Sequence, residues 1–238
     1  MENTLKPQLY LLPVPLGDDA LHTIPAYVID IIHQLDVFIV ERAKTARHFL
    51  KAVAFPRRFD DCLFFELNKR TDSTDIPHFL RPIRQGRAVG LLSEAGVPAV
   101  ADPGSQVVRL AHQQGISVMP LVGPSSILLA VMAAGMNGQQ FTFNGYLSPK
   151  RPDLAKDLKR LEQRALRQKE TQLFIETPYR NQAVFEAALS VLAPDTLLGI
   201  AMDVTLPTQY IRTHPISAWR KHPAPDLHKR PAVFSSGY

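Results

Sequence analysis

The chain has 238 residues, 45% of them apolar, with 27 Lys and Arg against 22 Asp and Glu for a formal charge of +5. That length suits one large domain or two modest ones, each with its own core. The single cysteine, Cys62, excludes an intrachain disulfide and a Cys-rich metal site, and the longest apolar run, Ile127 to Ala134, falls well short of the roughly 20 residues that span a bilayer. The start has a short apolar run broken by Pro13 and Pro15, unlike the long h-region of a signal peptide. The expectation is a soluble cytoplasmic protein with no membrane partner. The histidines show no metal-binding spacing, so no metal is expected.

In chain order, QLYLLP reads as a strand, Ala20 to Gln34 as a helix and DVFIVE as a second strand. Arg42 to Val53 reads as a helix, CLFFEL as a strand, and the stretch from about His78 to Gln85 as another helix. AVGLLS is the near-continuous apolar run of a buried parallel strand. SQVVRLAHQQG is a helix stopped by Gly115, and ISVMPLV a strand. This β-α-β alternation predicts an α/β sheet with helices on both faces. Beyond it come a helix at Ser125 to Gly135, the strand QFTFNGYL, a long basic helix and the strand TQLFIE. A helix from Tyr179 to Leu192 and the strands LLGIAMDV, PTQYIRT and AVFSSG complete the chain. Strands with short links imply a mixed or antiparallel sheet, so the domains are set at 1–121 and 122–238.

The long helix carries two stripes. Leu154, Leu158, Leu161 and Ala165 form an apolar one, and Lys156, Arg160, Arg164 and Arg167 a cationic one on roughly the opposite face. The cationic stripe reads either as a solvated face or as a surface for a polyanion such as RNA.

Two loops stand out. SEAGVPAVADPG, Ser93 to Gly104, follows the buried strand, and ligands of open α/β sheets sit beyond the carboxyl ends of strands. Gly96, Pro98 and Pro103-Gly104 fix a loop whose backbone can approach a ligand, while Asp102 suits a cap on the next helix. GPSS, Gly123 to Ser126, combines a glycine for a sharp turn, a proline at a helix entrance and serines able to cap it. With no Lys and no third glycine it does not read as a pyrophosphate cradle, and alone it is no more than an N-cap.

As a set, however, LYLLPVPLG, FIVERAKTARHFL, GLLSEAGVPAVADPG, VMPLVGPSSILLAVMAAGM, FNGYLSPK and FIETPYR occur in the order and spacing of the tetrapyrrole methylase family. Within it, the chain resembles the branch of 16S ribosomal-RNA ribose 2′-O-methyltransferases. The resemblance runs from about Leu9 to Arg180 and more weakly to AVFSSG. It implies two α/β domains of the tetrapyrrole methylase type with the cofactor cleft between them, S-adenosylmethionine as cofactor and a homodimer. The cofactor contacts it implies are Leu12 and Pro15; Ala95, Gly96, Val97 and Val100; Gly123, Pro124, Ser125 and Ser126; and Tyr146, Met202 and Ala232.

The chain departs from that branch at Glu41-Arg42-Ala43-Lys44, where Glu-Asp-Thr-Arg is usual, and at Glu176-Thr177-Pro178-Tyr179-Arg180, where Glu-Ser-Pro-His-Arg is usual. It also lacks the Gly-Asp-Pro of porphyrin-methylating members, having Gly96-Val97-Pro98, and is shorter at its C-terminus than longer RNA enzymes. The leading expectation is therefore a methyltransferase acting on ribosomal RNA. A small-molecule, tetrapyrrole-like acceptor and a cofactor-binding regulatory protein remain as alternatives. A ribose hydroxyl is a weak nucleophile that benefits from a general base. Glu41 and Glu94, at strand ends, are the catalytic candidates by position, and for each a structural ion pair or cap is the readier alternative.

Overall fold

The computed structural model describes residues 5–68, 70–72 and 74–238. The chain divides into two compact units, Met1–Ser125 and Ser126–Tyr238, inside the turn just after the Leu121 limit set from the sequence.

The first unit is built from short strands that are apolar on both faces. β1 (Leu9–Leu12) is followed by a 3-10 helix, Asp18–Thr23, and α1 (Ala26–Gln34). Then come β2 (Val37–Val40), α2 (Ala43–Ala52), β3 (Leu63–Glu66) and two single-turn helices, α3 (Ile76–Phe79) and α4 (Arg81–Arg84). β4 (Val89–Leu92), α5 (Gly104–Gln113) and β5 (Val118–Pro120) complete it. The sheet order is β3-β2-β4-β1-β5, and every pairing is parallel.

The strand period of two sorts the core onto both faces. Tyr10, Leu12, Phe38 and Val40 pack with Val28, Ile32, Phe49 and Leu50 of α1 and α2. Leu9, Val37, Ile39 and Leu91 pack on the other side with Phe79, Ile83, Val107 and Ala111. Chains leaving the neighbouring strands β2 and β4 therefore turn to opposite faces, which opens a crevice at their carboxyl ends.

Two expected helices come out broken. The run Ala20 to Gln34 splits because Pro25 holds Ile24 extended (φ −93°, ψ 118°), so the chain enters α1 afresh. The stretch His78 to Gln85 becomes two turns because Pro82 has no N–H to continue the ladder.

The second unit opens on α6 (Ser126–Ala134) and β6 (Phe141–Tyr146). α7 (Arg151–Gln168), β7 (Thr171–Ile175), α8 (Asn181–Val191), β8 (Leu197–Met202), β9 (Tyr210–Pro215), α9 (Ile216–Trp219) and β10 (Ala232–Gly237) follow. The sheet is mixed, in order β6-β7-β10-β8-β9: β6 and β7 are parallel, and the last strand is inserted antiparallel at the centre. The apolar stripe of α7 (Leu154, Leu158, Leu161, Ala165) and Val184, Phe185 and Ala188 of α8 are buried. Phe174 and Phe234 stack in this core with centroids 5.4 Å apart. Among the described residues, no helix is long and apolar enough to cross a membrane.

Candidate active site

Three loops of the first unit converge beyond the carboxyl ends of β1, β4 and β5. Val14 and Gly96 exchange two backbone hydrogen bonds, Val14 N–H to the Gly96 carbonyl at 2.9 Å and Gly96 N–H to the Val14 carbonyl at 3.1 Å. Gly96 has φ +73°, and a Cβ there would stand 3.1 Å from both the Pro124 carbonyl oxygen and the Leu16 side chain. Gly123 is constrained differently. Its φ is not positive, yet a Cβ would lie 2.1 Å from Pro13 Cβ. The glycine of GPSS is needed for close approach of two loops, not for an unusual turn. Glycine at both points keeps the three backbones in mutual contact and bare of side chains, which fits a flat organic cofactor held largely by main-chain groups.

The β4 loop is also strained. Ala99 (φ 65°) and Ala101 (φ 60°) adopt the left-handed conformation three and five residues after Gly96, and such residues concentrate where function over-determines the backbone. Asp102 holds them there. Its Oδ1 accepts from Ala99 N–H at 2.9 Å and from Gly104 N–H, the first residue of α5, at 2.7 Å. Burial raises the Asp102 carboxyl above its ordinary pKa, and these two hydrogen bonds oppose the shift. Its capping role is thus the structural one.

Glu41 leaves β2 and Glu94 leaves β4, the two neighbouring strands whose chains diverge. The Glu94 backbone amide favours the ionised Glu41 carboxylate by hydrogen bonding and so lowers its pKa. Burial first, then the negative charges of Asp102 and Glu94, raise the Glu41 pKa above 4.5, against that hydrogen bond and Arg42. Among the described residues neither Glu41 nor Glu94 forms an ion pair. A partly desolvated carboxylate with acidic neighbours is suited to accept a proton. Sequence reasoning missed Glu66 at the end of β3, whose Oε1 accepts from Ala43 N–H at 2.8 Å and so caps α2. Beside these loops lies an open cavity of about 120 Å³ whose walls include Pro15, Leu16, Glu94 and Ala95 together with Thr45 and His48 of α2.

The other cofactor candidates distribute as follows. Leu12 is fully buried, its side chain against Gly90, so only its backbone is available to a ligand. Pro15 and Val97 are half-buried, Ala95 and Val100 are exposed, and Pro124 is buried. Ser126 opens α6, and Ser125 immediately precedes it. In the second unit Tyr146 ends β6 and is 62% exposed, while Met202 and Ala232 are buried and paired with each other across β8 and β10. All three lie at one end of the strands of that sheet.

At the same end the carboxylates are closed off. Glu176 pairs with Arg180 at 2.8 Å, and Asp203 with Arg230 at 2.6 Å. Asn181, fully buried, donates to the Arg230 carbonyl at 2.6 Å. The cationic stripe of α7 is likewise occupied: Lys156 pairs with Asp153 (3.5 Å), Arg160 with Asp157 (3.1 Å), and Arg164 with Glu170. Three of its four charges are neutralised on site, which favours the solvated-face reading.

A parallel sheet with ligand loops at its carboxyl ends, followed by a mixed sheet with its last strand at the centre, matches solved methyltransferases. The crystal structure of the methyltransferase CobJ superposes with a TM-score of 0.63 at 20% identity, covering 97% of this chain and 93% of that one. The cobalt precorrin-4 methyltransferase CbiF gives 0.58 at 14%, covering 97% and 95%. These likenesses carry the fold.

The model of the Tetrapyrrole (Corrin/Porphyrin) Methylases matches residues 8–218, and the chain belongs to this family. Curated relatives named Ribosomal RNA small subunit methyltransferase I include that of Mesorhizobium japonicum, 31% identical over 92% of this chain and 70% of the relative. That of Escherichia coli O157:H7 is 27% identical over 90% and 72%, and that of Vibrio cholerae 29% over 89% and 69%. The chain is an S-adenosylmethionine-dependent methyltransferase.

Proposed function

We propose that this enzyme methylates ribosomal RNA on a ribose 2′-hydroxyl, in the cytoplasm and as a homodimer. The observation that carries the acceptor is the name shared by relatives that align along 89–92% of the chain. Glu41 supports the chemistry. When bound, S-adenosylmethionine supplies an electrophilic methyl carbon on a sulfonium, so the protein's tasks are alignment and removal of the hydroxyl proton. Glu41 receives that proton, its basicity raised by burial and by Asp102 and Glu94.

The cofactor contacts we propose in the first unit are Pro15, Ala95 to Val97, Val100 and Gly123 to Ser125, with the Leu12 backbone behind them. In the second unit they are Ser126, Tyr146, Met202 and Ala232. For the homodimer the support is α6: all its residues after Ser126 are apolar, yet Met132 is 78% exposed. A helix apolar all round calls for cover on every side.

Tritiated methyl transfer into fractionated RNA, protein and small-molecule pools from a strain lacking the protein tests the acceptor. Label is expected in small-subunit ribosomal RNA as a 2′-O-methyl nucleoside. Label in a porphyrin precursor instead would overturn the assignment. Light scattering is expected to give twice the 26.6 kDa chain mass, and a monomer at all concentrations would remove the dimer.

A further inference from the structure

α2 carries a cationic surface of a different kind from that of α7. Its sequence, AKTARHFLKA, contains no acidic residue. Ala46, Phe49 and Leu50 face the core, while Lys44, Arg47, His48 and Lys51, at spacings of three, four and seven, line the exposed side. The stripe is about 10 Å long at 1.5 Å per residue. Among the described residues, Lys44, Arg47 and Lys51 make no ion pair. Glu66 caps the first turn through Ala43 N–H at 2.8 Å, and Asp18 stands 3.9 Å from His48 with both side chains largely exposed.

Arg47 is ordered without being neutralised. Its guanidinium lies 5.0 Å from the Phe64 ring centroid and 6.0 Å from that of Phe59, a cation–π arrangement that leaves its N–H edge free to bind an anion. The arrangement opposes the local rules of helix stability. Like charges three and four residues apart repel, and Lys44 sits in the first turn, where the helix dipole disfavours a cation. Glu66 offsets the second at Ala43 N–H, and an external anion along the stripe relieves the first.

The stripe also borders the site. α2 begins two residues after Glu41 and contributes Thr45, His48, Phe49 and Ala52 to the cavity whose other walls include Pro15 and Glu94.

We propose that the exposed face of α2, through Lys44, Arg47 and Lys51, binds the phosphate backbone of the substrate RNA beside the reacting site. This rests on the RNA reading above and goes further, because it assigns the polyanion surface to α2 and withholds it from α7. Phosphates fit these residues because the cations lie at the surface without an ion pair among the described residues, Lys44 and Lys51 as point charges and Arg47 as a planar fork. Contacts of this type position the nucleic acid without reading its sequence.

The test measures the affinity of isolated small-subunit ribosomal RNA for the whole protein across a potassium chloride series. Wild type, Lys44→Ala/Lys51→Ala and, on the other helix, Lys156→Ala/Arg160→Ala are compared. Loss of two phosphate contacts is expected to flatten the log–log salt slope by about 1.4 to 1.8. The α7 double variant is expected to keep the wild-type slope. Both should retain wild-type affinity for S-adenosylhomocysteine by calorimetry. Should the α2 double variant lose that affinity, Lys44→Gln and Lys51→Gln taken singly should each flatten the slope by about 0.7 to 0.9. Wild-type binding with an unchanged slope in the α2 variants, or a flattened slope in the α7 variant alone, overturns the assignment to α2 while leaving the RNA reading intact. Wild type that neither binds nor methylates RNA fails the RNA reading itself.

Discussion

The two sheets treat charge at their strand ends in opposite ways. In the first unit Glu41 and Glu94 stand at diverging strands without an ion-pair partner among the described residues, and the cations of α2 are equally open. In the second unit Glu176 and Asp203 are each buried and closed by an arginine, and α7 matches three of the four cations of its stripe with Asp153, Asp157 and Glu170. A buried ion pair contributes mostly to holding one conformation, since desolvation offsets much of its attraction. An unpaired carboxylate at a crevice contributes little to stability and keeps its reactivity. Charge count along the sequence does not separate the two situations; the position of the opposite charge does.

The sharpest way to break this contrast is to neutralise one carboxylate on each side. Glu41→Gln should lower the rate of methyl transfer by about 10²- to 10⁴-fold, the range of general base catalysis, with S-adenosylhomocysteine affinity unchanged. Asp203→Ala should do the reverse. It strands the Arg230 guanidinium, which donates through Nε to Asp203 at 2.7 Å, and should cost about 3 kcal/mol in urea unfolding while the folded fraction keeps its turnover. If Asp203→Ala abolished turnover without loss of stability, the division of roles would be wrong.

A smaller effect sharpens the picture of the loops. Gly123→Ala must open a gap between the β1 and β5 loops, because the added Cβ would overlap Pro13. Overpacking of this kind costs about 1 to 3 kcal/mol, and the loss should appear in cofactor affinity by calorimetry as well as in stability. Unaltered affinity would detach GPSS from the cofactor.

Much of this was legible in the chain. The first unit's alternation of strands and helices follows from apolar runs punctuated by Gly and Pro, and its loops were located because they follow buried strands. Ile24-Pro25 and Pro82 carried the helix breaks in plain view, but an apolar periodicity running through them masks the effect of a missing N–H. The central position of β10 is a pairing between residues far apart in the chain, which no local pattern encodes. Charge was the hardest part. The cations of α7 dominate its sequence, although Asp153 and Asp157 stand three residues before Lys156 and Arg160 and signal self-pairing. In sequence the ERAK segment reads only as a departure from the family pattern, and the fold sets it at the head of an acid-free helix beside the site.

The smallest predicted effect concerns pH and isolates the influence of one charge on Glu41. Its carboxyl is raised above 4.5 by burial first and by Asp102 second. As the proposed base it must be ionised, so kcat/KM should fall on the acid side with a midpoint above the ordinary glutamate value. Stability runs the other way. Between 4.5 and the raised value the folded state binds more protons than the unfolded chain, so stability decreases as pH rises through that window, and the penalty is complete above it. Asp102→Asn removes the charge while leaving a side-chain oxygen to accept from Ala99 and Gly104. The acid limb should then move to lower pH, yet remain above the ordinary value because burial persists. kcat/KM measured against pH for wild type and Asp102→Asn, with small-subunit ribosomal RNA as acceptor, checks this. A limb that stays in place would mean that Asp102 acts on the loop alone and not on the base.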